Sequence, residues 1–398
     1  MSKYTPLAFE INLRPEGFVF EVGSLFEAFA GLHDQRDARG VRYALTTMLV
    51  FIVLAKLAGE NQVRGIAHWV KLNIEVLAAL LALTRVQAPH ATTYSRILGQ
   101  AIALNELERV TSAFFAGQPG AGQSVHVILD GKVMRGTIPA GRTQGMHLLA
   151  AYLPEEGWVL VQVEVSAAEN EIPAALRVVK RLNLCGKIVT ADAMLAQREL
   201  AAEIVQRGGD YVWVIKDNQP ETVKALETLF APETCVPGFS PASHDDFKTA
   251  VTVEKGHGRL EQRTITVSSN LQGYLDWPGV SQVFKLERRF VRLRDGKVTQ
   301  QLRYGLTSLS AGEASPARLM ELVREHWQIE NALHYRRDDT LKEDRCCLRI
   351  GHAPQAMAIL NNLVLGLLHR KGWRNAAEAR RHFSKHLRPS AELLLQRL

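Results

Sequence analysis

The sequence predicts a mixed α/β fold in which strands and helices follow the order βββαβαβα, with an all-helical segment before it and a β-rich insertion late in it. Three patterns carry this reading. Apolar residues recur at helical spacing up to about residue 118, β-branched runs alternate with amphipathic stretches over 119–230, and apolar and polar residues alternate at period two over 231–310. A chain of 398 residues is too long for one ordinary core, so two or three domains are expected.

The first region, 1–118, reads as short helices joined by tight turns. LTTMLVFIVLAKLAG ends at Gly59, where a capping glycine belongs, and QVRGIAHWVK, IEVLAALLAL and ATTYSRILGQA follow as separate helices. The last opens with Thr92-Thr93 after Pro89. It suggests a helix-turn-helix with Thr92, Thr93, Tyr94 and Arg96 facing a DNA groove, against the plainer reading of a packing domain. The glycine-rich AGQPGAGQ (116–123) marks the boundary.

In 119–230, SVHVILD (124–130) is a β-branched run ending on an acid, and MHLLAAYL (146–153) and WVLVQVEVS (158–166) follow at hairpin spacing. IPAALRVVKRLN (172–183) has helical periodicity, and KIVTAD (187–192) is another β-branched run ending on an acid. Helix AQRELAAEIVQRG, strand DYVWVIK and helix PETVKALETLF complete the order. The 231–310 segment reads as an insertion hydrogen-bonded to itself and docked on the main sheet. Helices return over 311–370, and 371–398 is a basic tail.

The composition, with 46% hydrophobic and 22% charged residues, is that of a globular protein. The formal charge of +7 favours an anionic partner such as nucleic acid. From Arg370 to Leu398 eight Lys and Arg stand against two Glu, so nearly all of that surplus lies in the last stretch. The four cysteines show no CxxC or Cys/His zinc spacing, which fits a reducing compartment. The start lacks the apolar region of a signal peptide, and the greasiest run, Leu45 to Ala58, is too short to span a bilayer and carries Lys56. A cytoplasmic, nucleoid-associated protein without a membrane partner is expected.

Right-handed crossovers fold the fourth strand of such an order back beside the first and parallel to it. Asp130 and Asp192 then both end strands at the edge where open α/β sheets collect ligands. Two carboxylates so close repel, and the usual remedy is a shared hard cation such as Mg²⁺ or Mn²⁺. A third acid is Glu330, because His326, Glu330 and His334 recur at i, i+4 and i+8 along one helix face. Two ions held by these acids would serve an in-line displacement at phosphorus.

LDGKVMRGT (129–137), TADAMLAQRELAAEI (190–204), GGDYVWVIKDNQ (208–219), EKGHGRLEQR (254–263) and REHWQIENALHYRRDDTLKED (324–344) resemble the signature blocks of bacterial insertion-sequence transposases of the DDE type, in the H-repeat-associated group. Residues 34–70 resemble that group's N-terminal domain. The resemblance implies a ribonuclease-H-like core with a β insertion before the last acid, and it matches the catalytic, metal-binding acids to Asp130, Asp192 and Glu330. It implies cleavage of DNA at terminal inverted repeats, strand transfer into target DNA, and self-association into a dimer or larger synaptic complex. A nuclease without strand transfer and a domesticated DNA-binding protein are the alternatives.

Further DNA contacts are expected from Lys132, Arg135, Lys216, Asn218, Gln219, His257, Arg259 and His326, besides Thr93 and Arg96. For Lys132 and Arg135 the blander role is to balance the acids; for Lys216, Asn218 and Gln219 it is helix capping before Pro220. The chain departs from the group at Tyr335-Arg336-Arg337-Asp338-Asp339, where relatives run aliphatic into Leu-Asp-Val. It departs again at Ala168-Glu169, where they tend to carry Lys-Ser.

Overall fold

Strand β1 (His126–Met134), β2 (Met146–Leu153) and β3 (Trp158–Val165) form an antiparallel meander, and β4 (Ile188–Ala191) and β5 (Asp210–Ile215) add parallel to β1. The computed structural model describes residues 20–396 apart from 40, 167, 232–245 and 257. β4 is buried along its whole length between parallel neighbours, which is why its sequence is a continuous apolar run and not an alternating one.

The insertion supplies β6 (Lys248–Gly256), β7 (Arg259–Ser268), β8 (Gln282–Arg292) and β9 (Val298–Thr307). It does not dock on the sheet as a separate layer. β9 pairs antiparallel with β5, Val212 opposite Thr307, so the order β3-β2-β1-β4-β5-β9-β8-β7-β6 makes one nine-stranded sheet. Period-two alternation foretold the strands but not the edge they would complete.

The N-terminal helices are α1 (Leu25–Ala30), α2 (Leu45–Leu57), α3 (Val63–Leu80), α4 (Ala91–Arg96) and α5 (Leu104–Ala116). The two helices expected over 62–83 are the single helix α3. α4 is one turn and a half, continues into the wide turn Ile97–Ala101, and buries Tyr94 completely. Tyr94 therefore cannot face a DNA groove.

Between strands lie α6 (Glu171–Lys180), α7 (Arg198–Gln206) and α8 (Pro220–Leu229). α6 starts at Asn170, whose side chain accepts from Ile172 N at 3.0 Å, and it buries Ala174, Ala175, Val178 and Val179 at helical spacing. After the insertion come α9 (Pro316–His326), α10 (Ala353–Arg370), α11 (Ala376–Phe383) and α12 (Leu387–Leu395). The expected basic tail is thus two helices. They bury Ala379, Phe383, Leu387 and Leu394, and Arg380 donates to the Lys56 carbonyl at 3.0 Å.

α10 is buried on nearly every face, packed on α2, α5 and β3, and one continuous apolar core runs from α2 through α10 to the sheet. Among the described residues no helix is long and apolar enough to cross a membrane.

Candidate active site

Leu129 on β1 and Ala191 on β4 are register partners, so Asp130 and Asp192 are the next residues on two adjacent parallel strands. β4 stops there, whereas β1 runs on to Met134 paired only with β2. Asp130 is accordingly a mid-strand residue and not a strand end. The notch left beside β1 is open to side chains from both faces of the sheet.

Asp192 caps the 3₁₀ turn Ala193–Leu195, its Oδ1 accepting from Leu195 N at 3.2 Å. Asn218 fixes the same turn by donating Nδ2 to the Ala193 carbonyl at 2.7 Å. Burial pushes the Asp192 carboxyl above the ordinary carboxylate range, and the charges of Glu171 and Asp130 add to this against the Leu195 hydrogen bond and Lys216.

Glu171 was not foreseen as a site residue. At the first position of α6 its carboxylate lies against Gly131: a Cβ there would fall 2.4 Å from Glu171 Oε1. His147 on β2 holds it, Nε2 to Oε1 at 2.7 Å. Since neighbouring strand residues face opposite sides, Glu171 approaches the notch from the face opposite Asp130.

On the Asp130 face stands the segment after α9. His334 Nε2 bonds Asp130 Oδ2 at 2.8 Å, and buried Lys132 bonds both oxygens of Asp338 at 2.6 Å. Next to it Arg337 and Glu343 form an ion pair in which both residues are buried, with Asn361 donating to Glu343 at 2.6 Å. His326 is buried, with Nδ1 at 3.4 Å from Thr190 Oγ1, and burial lowers its pKa to about 4. Behind it, fully buried His126 links Thr190 Oγ1 (2.7 Å) to Glu325 Oε2 (3.0 Å).

Glu330 is not assembled with the two aspartates. Residues Glu330–His334 and Arg336–Thr340 form wide π turns, so the four-residue stripe does not stay on one face. His326 and His334 are buried toward the sheet while Glu330 between them is exposed. Among the described residues no three His, Cys, Asp or Glu side chains converge to cage a metal ion.

The remaining candidates separate by availability. Arg135 is 79% exposed, 3.9 Å from Asp344, and Lys216 is exposed beside Asp192. Lys132 is engaged by Asp338, which favours its charge-balancing role. Gln219 is buried and donates Nε2 to the Ala196 carbonyl at 3.1 Å, so it serves the turn and not an outside ligand; its side chain caps no helix. Arg259 is exposed at the start of β7 with its guanidinium 5.1 Å from the Phe290 ring. Thr93 and Arg96 line a cleft in the N-terminal helices. His257 lies outside the described residues.

The family model of the transposase DDE domain matches residues 121–367, and the model of the domain associated with it matches residues 26–115. A protein of Escherichia coli (strain K12) named "H repeat-associated putative transposase YhhI" is 24% identical over 355 residues, 87% of this chain and 91% of that protein. One of Escherichia coli O157:H7 named "Putative transposase YncI" is 27% identical over 354 residues, 87% of each chain. Among solved structures, a piggyBac transposase synaptic complex with hairpin DNA aligns with a TM-score of 0.41 and 12% identity over 90% of this chain and 74% of that one.

Proposed function

Because the chain belongs to the transposase DDE-domain family, we propose that it is a DNA transposase that cleaves element ends and joins them to target DNA, on a ribonuclease-H-like core extended by the β6–β9 insertion. The observation that carries this is the juxtaposition of Asp130 and Asp192 directly after the register partners Leu129 and Ala191, at the point where β4 stops. A carboxylate pair at a strand-end notch, with exposed Lys216 beside Asp192, suits an anionic substrate positioned over a hard cation.

The family generally uses divalent metal ions, and the donor set fits Mg²⁺ or Mn²⁺. Mg²⁺ is held by one or two carboxylates, waters and substrate phosphate more often than by a closed protein cage. Burial first, and then the charges of Glu171 and Asp130, raise the Asp192 carboxyl, and a cation bound there would offset those two charges. Asp130 and Asp192 would hold the ions, two per site, and Glu330 would complete the set. Bound there, the ions supply Lewis-acid activation of the attacking and leaving oxygens.

The protein's own groups orient these acids. His334 and His326 fix the α9 end of the site on the Asp130 side, and Asn218 and Leu195 N fix the Asp192 turn. Glu330 sits four residues from each histidine and is exposed, so completing the set would require it to turn toward the notch. Two ends must be held together for transposition, so the working form is a dimer or larger assembly on terminal inverted repeats.

The test is a labelled duplex carrying the element's terminal repeat, incubated with Mg²⁺ or Mn²⁺ and a supercoiled target, with wild type beside Glu330→Ala. Metal-dependent nicking and joining, lost in the variant, is the expected result. Nicking without joining would replace the reading by a nuclease. Tight binding without cleavage by either protein would replace it by a non-catalytic DNA-binding protein.

A further inference from the structure

The N-terminal helices carry a basic feature that the catalytic notch does not use. A cleft of about 660 Å³ opens between the 35–43 loop, the 85–90 loop and the turn from α4 into Ile97–Ala101. Arg39, Arg42, Arg85 and Arg96 line it, with Asp37 as the one lining acid among the described residues. None of these four guanidinium groups has an ion pair or hydrogen bond among the described residues. Gathering four uncompensated cations around one concavity raises a positive potential that only an anion relieves.

The cleft is prebuilt. Arg36, a fifth lining arginine, is held by Asp34 through Nε and Nη2 at 2.8 and 2.6 Å, and it donates Nη2 to the Tyr43 carbonyl at 2.8 Å. The Tyr43 hydroxyl in turn donates to the Gln87 carbonyl at 2.5 Å and lies 3.1 Å from that of Arg85. These bonds pin one rim to the other, so the free arginines stand on walls that need no ordering when a ligand arrives.

The cleft also leads toward the acids. A Cβ at Gly99 would fall 2.5 Å from the Ile350 carbonyl, and His352 N donates to the Gly99 carbonyl at 3.3 Å, so the 97–101 turn lies directly on the 350–352 loop. Arg349, just before that loop, donates to the Ile138 carbonyl at 2.9 Å, and exposed Arg345 and Arg135 continue the basic route to the end of β1.

We propose that this cleft is a phosphate-backbone site for duplex DNA, gripping the duplex to one side of the cut while Arg349, Arg345 and Arg135 track it toward Asp130. The identity of the polyanion rests on the transposase reading; the site itself rests on the unpaired arginines and the pinned rims. It replaces base reading by a recognition helix, which the burial of Tyr94 disfavours.

The experiment is a fluorescence-anisotropy titration of full-length protein with a labelled duplex over a KCl series. Arg39, Arg42, Arg85 and Arg96 are changed together to Ala, together to Lys, and singly at Arg42 and Arg96. Each lost phosphate contact lowers the slope of log K against log salt by about 0.9, so the quadruple Ala variant should lose about 3 to 4 and each single variant about 1. The quadruple Lys variant should keep most of the slope. A full slope in the Ala variants while wild type binds overturns the inference, as does a Lys variant that behaves like Ala. If wild type neither binds nor cuts DNA, the transposase reading fails first and this site falls with it; if wild type cuts DNA and the slope is unmoved, only the site fails. Should the quadruple variant not fold, the exposed single variants decide.

Discussion

His334 Nε2 donates to Asp130 Oδ2 across 2.8 Å, and this bond joins the segment bearing Glu330 to the first strand. If Asp130 holds a metal ion as proposed, His334 is an outer partner of a metal ligand, and loss of such a partner costs about 10–100-fold in metal affinity or activity. His334→Ala is therefore expected to reduce cleavage and Mn²⁺ affinity together, within that range, and His334→Gln, which can still donate, to recover part of both. Wild-type cleavage and metal affinity in His334→Ala would show that the bond positions nothing.

Much of this site could be read from residue order because β-branched runs lead into Asp130 within β1 and into Asp192 just after β4, and crossover handedness brings such strands together. Glu171 could not be read that way. An acid in a first helical turn is explained by the helix dipole alone, and only the missing Cβ of Gly131 lets its carboxylate reach the notch. Glu330 was found by residue type and spacing, but the spacing assumed α-helical rotation, and the π turns move it off the histidine face. The last helices read as a tail in the sequence because their charge is conspicuous. Ala379, Phe383, Leu387 and Leu394, which fold them back, are sparse in the sequence.

Asp192 carries a pH-dependent cost in the metal-free protein. Its folded pKa is raised, first by burial and then by Glu171 and Asp130, so the native state holds the proton more tightly than the unfolded chain. The contribution to stability is complete below the unfolded pKa and is lost as pH rises through the folded value. At neutral pH without metal, Asp192→Asn should raise the melting temperature. Mg²⁺ should raise that of wild type through binding to the native state and leave the variant nearly unmoved. Equal Mg²⁺ shifts in the two proteins would remove Asp192 from the metal site.

Arg337 and Glu343 are both buried and form an ion pair, Nη2 to Oε1 at 2.8 Å. Burial alone would raise the Glu343 carboxyl, yet the Arg337 guanidinium and Asn361 bring it below the usual range. Removing one partner of a buried pair costs about 3–5 kcal/mol, because the other charge stays buried alone. Arg337→Leu should destabilise by roughly that much in denaturant unfolding. Arg337→Leu with Glu343→Gln should recover most of it, since Asn361 can still bond the amide. A double variant no better than the single one would mean that the Arg337 side chain, and not its charge, is what the site needs.

Glu171 offers the sharpest separation of chemistry from packing. Its carboxylate meets the notch only because residue 131 has no side chain, and a Cβ there would lie 2.4 Å from Oε1 and 2.7 Å from His147 Nε2. Two substitutions should then produce one phenotype by different routes. Glu171→Gln keeps the shape and removes the charge; Gly131→Ala keeps the charge and forces the carboxylate away. If Glu171 helps to hold the cation or its waters beside Asp192, each should weaken Mn²⁺ binding and cleavage by about 10–100-fold. The double variant should then be little worse than either single one, because residues acting on one contact are not additive. Fully additive losses would mean that Gly131→Ala harms the strand by itself, and unchanged Mn²⁺ affinity in Glu171→Gln would confine that glutamate to the first turn of α6.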